Sequence, residues 1–254
     1  MNKHQIMFST SESMLKIKNN TVKFMITSPP YWDLKNYEAE NQIGFKEDYN
    51  IYLDRLKKVW LETYRVLSKD GIAIININTK SYHKKLQLIP NDIIKQMKEI
   101  GYKFRDINYW HKSSAIPSLK NFGDHYEYFL IFSKSNKFTF NPKDYFDYKH
   151  PHSQPSINLW NINKKFGSIG KKYMIHPAVF AEEYIIRMIK FFTNENDIVL
   201  DPFLGSGTTL IASYKTNRIC FGFELNNDEY SKLLKDRINE AGLNLAEVEF
   251  IRKS

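Results

Sequence analysis

The sequence predicts an α/β fold around a largely parallel sheet, and three observations carry that expectation. Strand-like and helix-like segments alternate along nearly the whole chain, as they do in βαβ units. Apolar runs such as Ile72-Ala73-Ile74-Ile75 and Ile198-Val199-Leu200 read as buried strands. Two short motifs follow such runs: Thr27-Ser28-Pro29-Pro30-Tyr31-Trp32, and Asp201-Pro202-Phe203-Leu204-Gly205-Ser206-Gly207-Thr208-Thr209. Each therefore sits where a strand ends and a loop begins, the edge at which open α/β sheets bind ligands.

The elements follow in order. Residues 5–8 form a short strand candidate and residues 22–27 a stronger one. Over residues 48–67, Tyr52, Leu56, Val59, Trp60, Tyr64 and Leu67 recur at helical spacing. Lys69-Asp70-Gly71 is expected to stop that helix before a strand over 72–77. Pro90 suits the opening of a helix over 91–100, because a first-turn amide has no intrahelical acceptor to lose, and Gly101 ends it. Two strands, 103–110 and 126–132, flank a loop over 112–124, a length that usually signals function. From 133 to 175 the pattern weakens into lysine, asparagine, histidine, proline and aromatics. This stretch reads as an irregular insertion within a single domain over 1–254. A helix near 178–192, a strand over 198–200, a helix over 207–215, a strand over 219–224 and a helix over 228–241 complete the order.

A chain of 254 residues can bury one sizeable α/β core. Its 37 basic and 28 acidic side chains leave a charge of +9, which favours a polyanionic partner. Aromatic residues lie among the lysines at Tyr145, Phe146, Tyr148, Trp160, Phe166 and Tyr173, and bases stack on such side chains. The single cysteine, Cys220, rules out an internal disulfide framework or a cysteine-built zinc site, and no metal is expected. No apolar stretch has the length of a membrane helix and no signal-peptide pattern opens the chain, so the expectation is a soluble, cytoplasmic protein with no membrane partner.

The second motif has the form of a cofactor cradle. A strand ends in Asp201, Gly205 and Gly207 let a ligand approach the backbone closely, and a helix opens at Thr208-Thr209. The strand after that helix delivers Glu224, 19 residues beyond Gly205, the spacing at which an acid accepts hydrogen bonds from ribose hydroxyls. The turn lacks the Gly-Lys-Ser/Thr ending of a phosphate loop. It therefore suits a cofactor with a ribose but no terminal phosphates.

The first motif offers acceptors. The Ser28 hydroxyl and the Pro29 carbonyl can both accept hydrogens, and proline contributes no competing amide donor. Tyr31 offers an aromatic face, and Pro30 stiffens the loop between them. Cys220 lies inside an apolar run away from any Pro-Cys loop and reads as a small core residue, which disfavours chemistry at the 5-carbon of cytosine.

Together the two motifs resemble those of the β group of DNA amino-methyltransferases, which use S-adenosylmethionine and carry the catalytic motif before the cofactor motif, a circularly permuted order. The likeness runs from about residue 8 to 238. It takes in Gln42-Ile43-Gly44, Tyr64-Arg65-Val66-Leu67, Asn76-Ile77-Asn78, Trp110-His111-Lys112, His125-Tyr126-Glu127-Tyr128 and Phe132-Ser133-Lys134-Ser135. It implies a Rossmann-like, seven-stranded methyltransferase sheet, mostly parallel with one antiparallel strand at 126–132. The catalytic residues would be Ser28, Pro29, Pro30 and Tyr31, with Tyr31 stacked on a base flipped out of the duplex. The cofactor would meet Asp201, Phe203, Gly205, Gly207, Thr208, Glu224, Thr27 and, upstream of the helix over 178–192, His176. The family usually places Gly-Asp-Ser against the cofactor's adenine. Here Ser9-Thr10-Ser11-Glu12 stands in that place, so Ser9 takes the assignment.

Ser-Pro-Pro-Tyr followed by tryptophan resembles enzymes acting on the 4-amino group of cytosine, whereas Asp-Pro-Pro-Tyr is more usual for the 6-amino group of adenine. The resemblance thus implies a site-specific N4-cytosine methyltransferase of a restriction–modification system. Adenine N6 methylation is the nearest alternative, and a non-catalytic nucleic-acid-binding module the next. A nucleotide-dependent dehydrogenase lacks a redox site opposite the glycine turn. Double-stranded DNA is the expected partner, with Trp32, Lys112, Lys120, Gln154, Asn158 and Asn161 as candidate contacts and residues 133–175 as the sequence-reading region. A cognate restriction endonuclease and a second copy of the chain are further candidate partners.

Overall fold

A computed structural model describes residues 3–33, 41–82, 85–111, 126–141, 159–160, 182–225 and 227–252. Within them the strands are β1 (His4–Phe8), β2 (Val22–Thr27), β3 (Leu67–Ile77), β4 (Lys80–Tyr82), β5 (Lys85–Gln87), β6 (Lys103–His111), β7 (Tyr126–Ser133), β8 (Leu159–Trp160), β9 (Ile198–Asp201), β10 (Ile219–Glu224) and β11 (Val248–Arg252). The helices are α1 (Tyr49–Val66), α2 (Ile89–Ile100), α3 (Glu182–Phe192), α4 (Thr208–Lys215) and α5 (Asn227–Glu240). None of them is long and apolar enough to cross a membrane.

Among the described residues nine strands form one sheet, in the order β11-β1-β10-β9-β2-β3-β7-β6-β8. Only β7 runs against its neighbours, pairing antiparallel with both β3 and β6, as expected for residues 126–132. The expected count of seven is corrected by two additions, and both lie at the edges. At one end β11 covers β1. At the other, two-residue β8 pairs parallel with β6 and brings part of the 133–175 stretch into the sheet.

Side chains alternate across the sheet and explain why its strands read as unbroken apolar runs. On one face Met7, Met25, Ala73, Ile75, Ile77, Leu130, Phe132, Leu200 and Phe223 meet α1 and α2. On the other, Phe24, Ile26, Ile72, Ile74, Phe129, Ile131 and Val199 meet α3, while Ile6, Phe8 and Cys220 meet α5. A strand with helices on both faces has no polar side to show.

The boundary between α1 and β3 differs from expectation. No loop intervenes, because Val66 ends the helix and Leu67 begins the strand. Asp70-Gly71 lies within β3 at a register shift, where Val22 pairs with Leu67 but Phe24 pairs with Ile72. Lys23 of β2 forms an ion pair with Asp70, and Ser68 donates to the same carboxylate at 2.9 Å. The segment is a bulge held by its neighbour strand. Lys134 closes the helix end by donating to the carbonyls of Tyr64 at 2.6 Å and Leu67 at 2.7 Å.

The start of the 133–175 stretch is also more ordered than its composition suggests. Asn141 donates its backbone N–H to Phe191 at 2.8 Å and its side-chain amide to Lys190 and Thr193. Phe138 and Phe140 pack against Phe191 and Phe192 at the end of α3.

Candidate active site

The sheet order itself locates the site. β9 and β2 are neighbours, yet β9 continues to β10 on one side and β2 to β3 on the other. The loops leaving their carboxyl ends must diverge, and a crevice opens between them. Those two loops are the ones that begin after Asp201 and after Thr27.

Asp201 joins them. Its carboxylate accepts from the Thr27 hydroxyl at 2.6 Å, from the Thr209 hydroxyl at 2.6 Å and from the Phe203 backbone N–H at 3.0 Å. Asp201, Thr27 and Thr209 are buried, with Thr27 wholly inaccessible. Burial pushes the Asp201 carboxyl above its ordinary range, while the bonds from Thr209, Thr27 and the Phe203 N–H pull it back. Thr27 and Asp201, read from sequence as cofactor contacts, thus face each other.

Beyond Asp201 the turn runs through two glycines. Gly205 and Gly207 have φ of 51° and 80°, a region that costs other residues. At Gly207 a Cβ would lie 2.5 Å from Leu234 Cδ2, so α5 presses against the turn. The Gly205 N–H donates to Glu224 Oε2 at 2.9 Å, and Leu204 N–H donates to the Phe223 carbonyl at 2.8 Å. Glu224 is half-buried at the end of β10, level with Phe8 on β1. Ser9 follows directly and is half-buried, so Ser9, Glu224 and Gly205 share one edge of the crevice. A ribose-bearing group without terminal phosphates fits this cradle: a half-buried carboxylate stands at its rim beside the bare backbone of Gly205.

The other loop is braced on both sides of Tyr31. Buried Tyr52 of α1 donates its hydroxyl to the Pro30 carbonyl at 3.0 Å, and Lys80 donates to the Trp32 carbonyl at 2.5 Å. Burial lowers the Lys80 pKa, with Asp33 opposing. Ser28 and Tyr31 are half-buried, and the Tyr31 hydroxyl reaches Glu127 Oε2 at 3.4 Å. Trp32, read as a DNA contact, is only 8% exposed. Its indole N–H donates to the Glu47 carbonyl at 2.9 Å and its ring meets Tyr49 edge-on, so it packs into the core beneath the loop.

Gly44 approaches closely here too. A Cβ on it would lie 2.8 Å from Tyr52 Cδ2, and its N–H donates to Glu47 at 2.9 Å. Arg55 binds Glu12, Glu47 and the carbonyls of Asn41 and Gln42, tying the segment after β1 to the segment under Trp32. Although burial opposes it, the bonds and charge of Arg55 hold Glu12 below the usual carboxylate range.

Several of these residues carried no role in the sequence reading. Glu127 stood within a family-like segment without a stated function, and Lys80 opens β4 of the β4–β5 hairpin, which the pattern did not mark. Arg237 of α5 is buried and donates to the Ser206 carbonyl, to Ser206 Oγ at 3.0 Å and to Thr208 Oγ1 at 3.2 Å. Only its spacing from Leu234, one helical turn away, hinted at a shared face. His176, Lys112, Lys120, Gln154, Asn158 and Asn161 lie outside the described residues. Cys220 is buried as expected, and burial pushes its thiol well above the ordinary value.

Residues 22–236 match the DNA methylase family. The type II methyltransferase M.MjaI of Methanocaldococcus jannaschii is 31% identical, over 93% of this chain and 90% of its own. The type II methyltransferase M.MthZI of Methanothermobacter thermautotrophicus is also 31% identical, over 93% of this chain and 77% of its own. Among solved structures, the cytosine-N4-specific PvuII DNA methyltransferase shares the fold with a TM-score of 0.75 at 17% identity, over 99% of this chain and 96% of that one. Motif order, topology and sequence identity converge, and the chain belongs to the DNA methylase family, the S-adenosylmethionine-dependent amino-methyltransferases of DNA.

Proposed function

We propose that the protein methylates the 4-amino group of cytosine in double-stranded DNA, at a base flipped out of the duplex, as the protective activity of a restriction–modification system. The observation that carries the reading is the Ser28-Pro29 acceptor pair held beside the glycine turn through Thr27 and Asp201. The exocyclic amino nitrogen is a poor nucleophile because its lone pair is delocalised into the ring. Ser28 Oγ and the Pro29 carbonyl accept its two hydrogens, raise electron density on nitrogen and aim it across the crevice. Tyr31 stacks on the extruded ring, and the Tyr52 bond to Pro30 keeps the loop from recoiling. When bound, S-adenosylmethionine supplies an electrophilic methyl group. Glu224 would accept from its ribose hydroxyls, the backbone from Phe203 to Thr208 would line its site, and Ser9 would stand at its adenine end.

Preference for cytosine over adenine rests on serine at position 28 and tryptophan at position 32. Assignment to restriction–modification rests on likeness to type II methyltransferases. Residues 133–175, outside most of the described chain, are the proposed target-recognition insertion. Transfer of labelled methyl from S-adenosylmethionine to mixed-sequence DNA, followed by nucleoside analysis, tests the reading. N4-methylcytosine is expected. N6-methyladenine keeps the mechanism and overturns the base. No label in DNA, with cofactor binding intact, overturns the duplex DNA substrate.

A further inference from the structure

The turn from Asp201 to Thr209 is held from three directions, and two of them belong to β9, which delivers it, and to the neighbouring β10. Asp201 fixes its beginning and end, and Glu224 takes the Gly205 N–H. The third comes from α5, an element that the two motifs do not include. Leu234 fills the space that a side chain at position 207 would need, and Arg237, three residues on, sends one guanidinium nitrogen to the Ser206 carbonyl, Ser206 Oγ and Thr208 Oγ1. Arg237 is only 4% exposed. A buried cation is tolerated where it is hydrogen-bonded, and here the acceptors are the middle residues of the cofactor turn.

We propose that Arg237 is a positioning residue for S-adenosylmethionine: from beneath the turn it fixes the backbone of residues 205–208 in the shape that receives the cofactor, without touching it. Its partners explain the choice of arginine. All three contacts are made by one terminal nitrogen, Nη1, which the rigid, planar guanidinium holds in place, whereas a lysine ammonium sits at the end of a flexible stem. The proposal rests on the turn being the cofactor cradle. Because the catalytic loop is braced separately by Tyr52 and Lys80, the effect of losing Arg237 falls on cofactor affinity rather than on turnover.

The test is binding of S-adenosylmethionine by titration calorimetry, alongside steady-state kinetics and thermal unfolding, for wild type, Arg237→Lys and Arg237→Met. The expected result is a dissociation constant raised about 10-fold for the lysine variant and about 100-fold for methionine, with KM for the cofactor following. At saturating cofactor, kcat stays within about three-fold. Lowered thermal stability with unchanged cofactor affinity overturns the proposal, since Arg237 would then serve the fold alone. An equal loss of kcat with unchanged KM overturns it as well. Should the methionine variant fail to fold, Ser206→Ala with Thr208→Val removes the two hydroxyl acceptors from the other side, and unchanged affinity there is equally decisive. Wild-type protein that does not bind the cofactor overturns the reading of the cradle itself, whereas a binding wild type with unaffected variants overturns only Arg237.

Discussion

Ser28 and Glu224 stand on opposite rims of one crevice, and substitutions separate what each does. In Ser28→Ala, one acceptor for the amino hydrogens is lost while the Asp201 node and the glycine turn stay intact. Methyl transfer is expected to fall about 100-fold, the order seen when one preorganised hydrogen-bonding group leaves an active site, with cofactor affinity within about two-fold of wild type. Loss of cofactor binding in that variant, measured by calorimetry, would show that the Ser28 loop builds the cradle rather than the reaction. Glu224→Ala removes both the proposed ribose acceptor and the partner of the Gly205 N–H. A charged hydrogen bond contributes about 1.5–3 kcal/mol, so the dissociation constant should rise roughly 10- to 100-fold. Unchanged affinity would withdraw the ribose assignment.

At the scale of elements, the strands and helices were legible because burial on two faces and helical spacing leave strong marks. What escaped was set by contacts between distant parts of the chain. Asp70-Gly71 looks like a turn locally but lies in a bulge of β3, where Lys23 on the neighbouring strand pairs with the carboxylate. Trp32 looks like a DNA contact until Glu47 and Tyr49 enclose it. The site motifs were legible for the opposite reason: glycine, proline and serine constrain the backbone wherever they stand.

One strand contact yields a pH prediction. His4 of β1 is buried and its Nδ1 accepts the Cys220 backbone N–H of β10 at 3.0 Å. Burial lowers its pKa from 6.5 to about 4. Between those values the unfolded chain holds the extra proton and the folded chain does not. This contribution is therefore fully present above about pH 6.5 and is lost as pH falls toward 4, costing about 3 kcal/mol at most. His4→Asn keeps an acceptor near Cys220 but does not titrate. Urea unfolding at several pH values should show a shallower acid loss for this variant, and parallel curves would mean that His4 takes up its proton in the folded chain as readily as in the unfolded one.

For the whole molecule, a charge of +9 predicts that DNA is held largely through its phosphates. Each phosphate neutralised contributes about −0.9 to the slope of log affinity against log salt, so roughly five contacts give a slope near −4.5. A filter-binding series in sodium chloride measures it, and a slope near zero would remove the basic surface as the docking face.

The position of β1 has a temporal meaning. Its hydrogen-bonding neighbours are β10 and β11, so residues 4–8 pair with residues 221–224 and 248–252. During synthesis this strand waits, apolar and unpaired, until β10 has left the ribosome, and its other edge stays open until β11 follows. Pairing across such sequence distances carries a large loop-closure cost and slows folding. The half of the sheet that forms the cofactor edge therefore closes last, and a nascent chain stalled before β10 offers Ile6, Met7 and Phe8 to chaperones instead of to its own core.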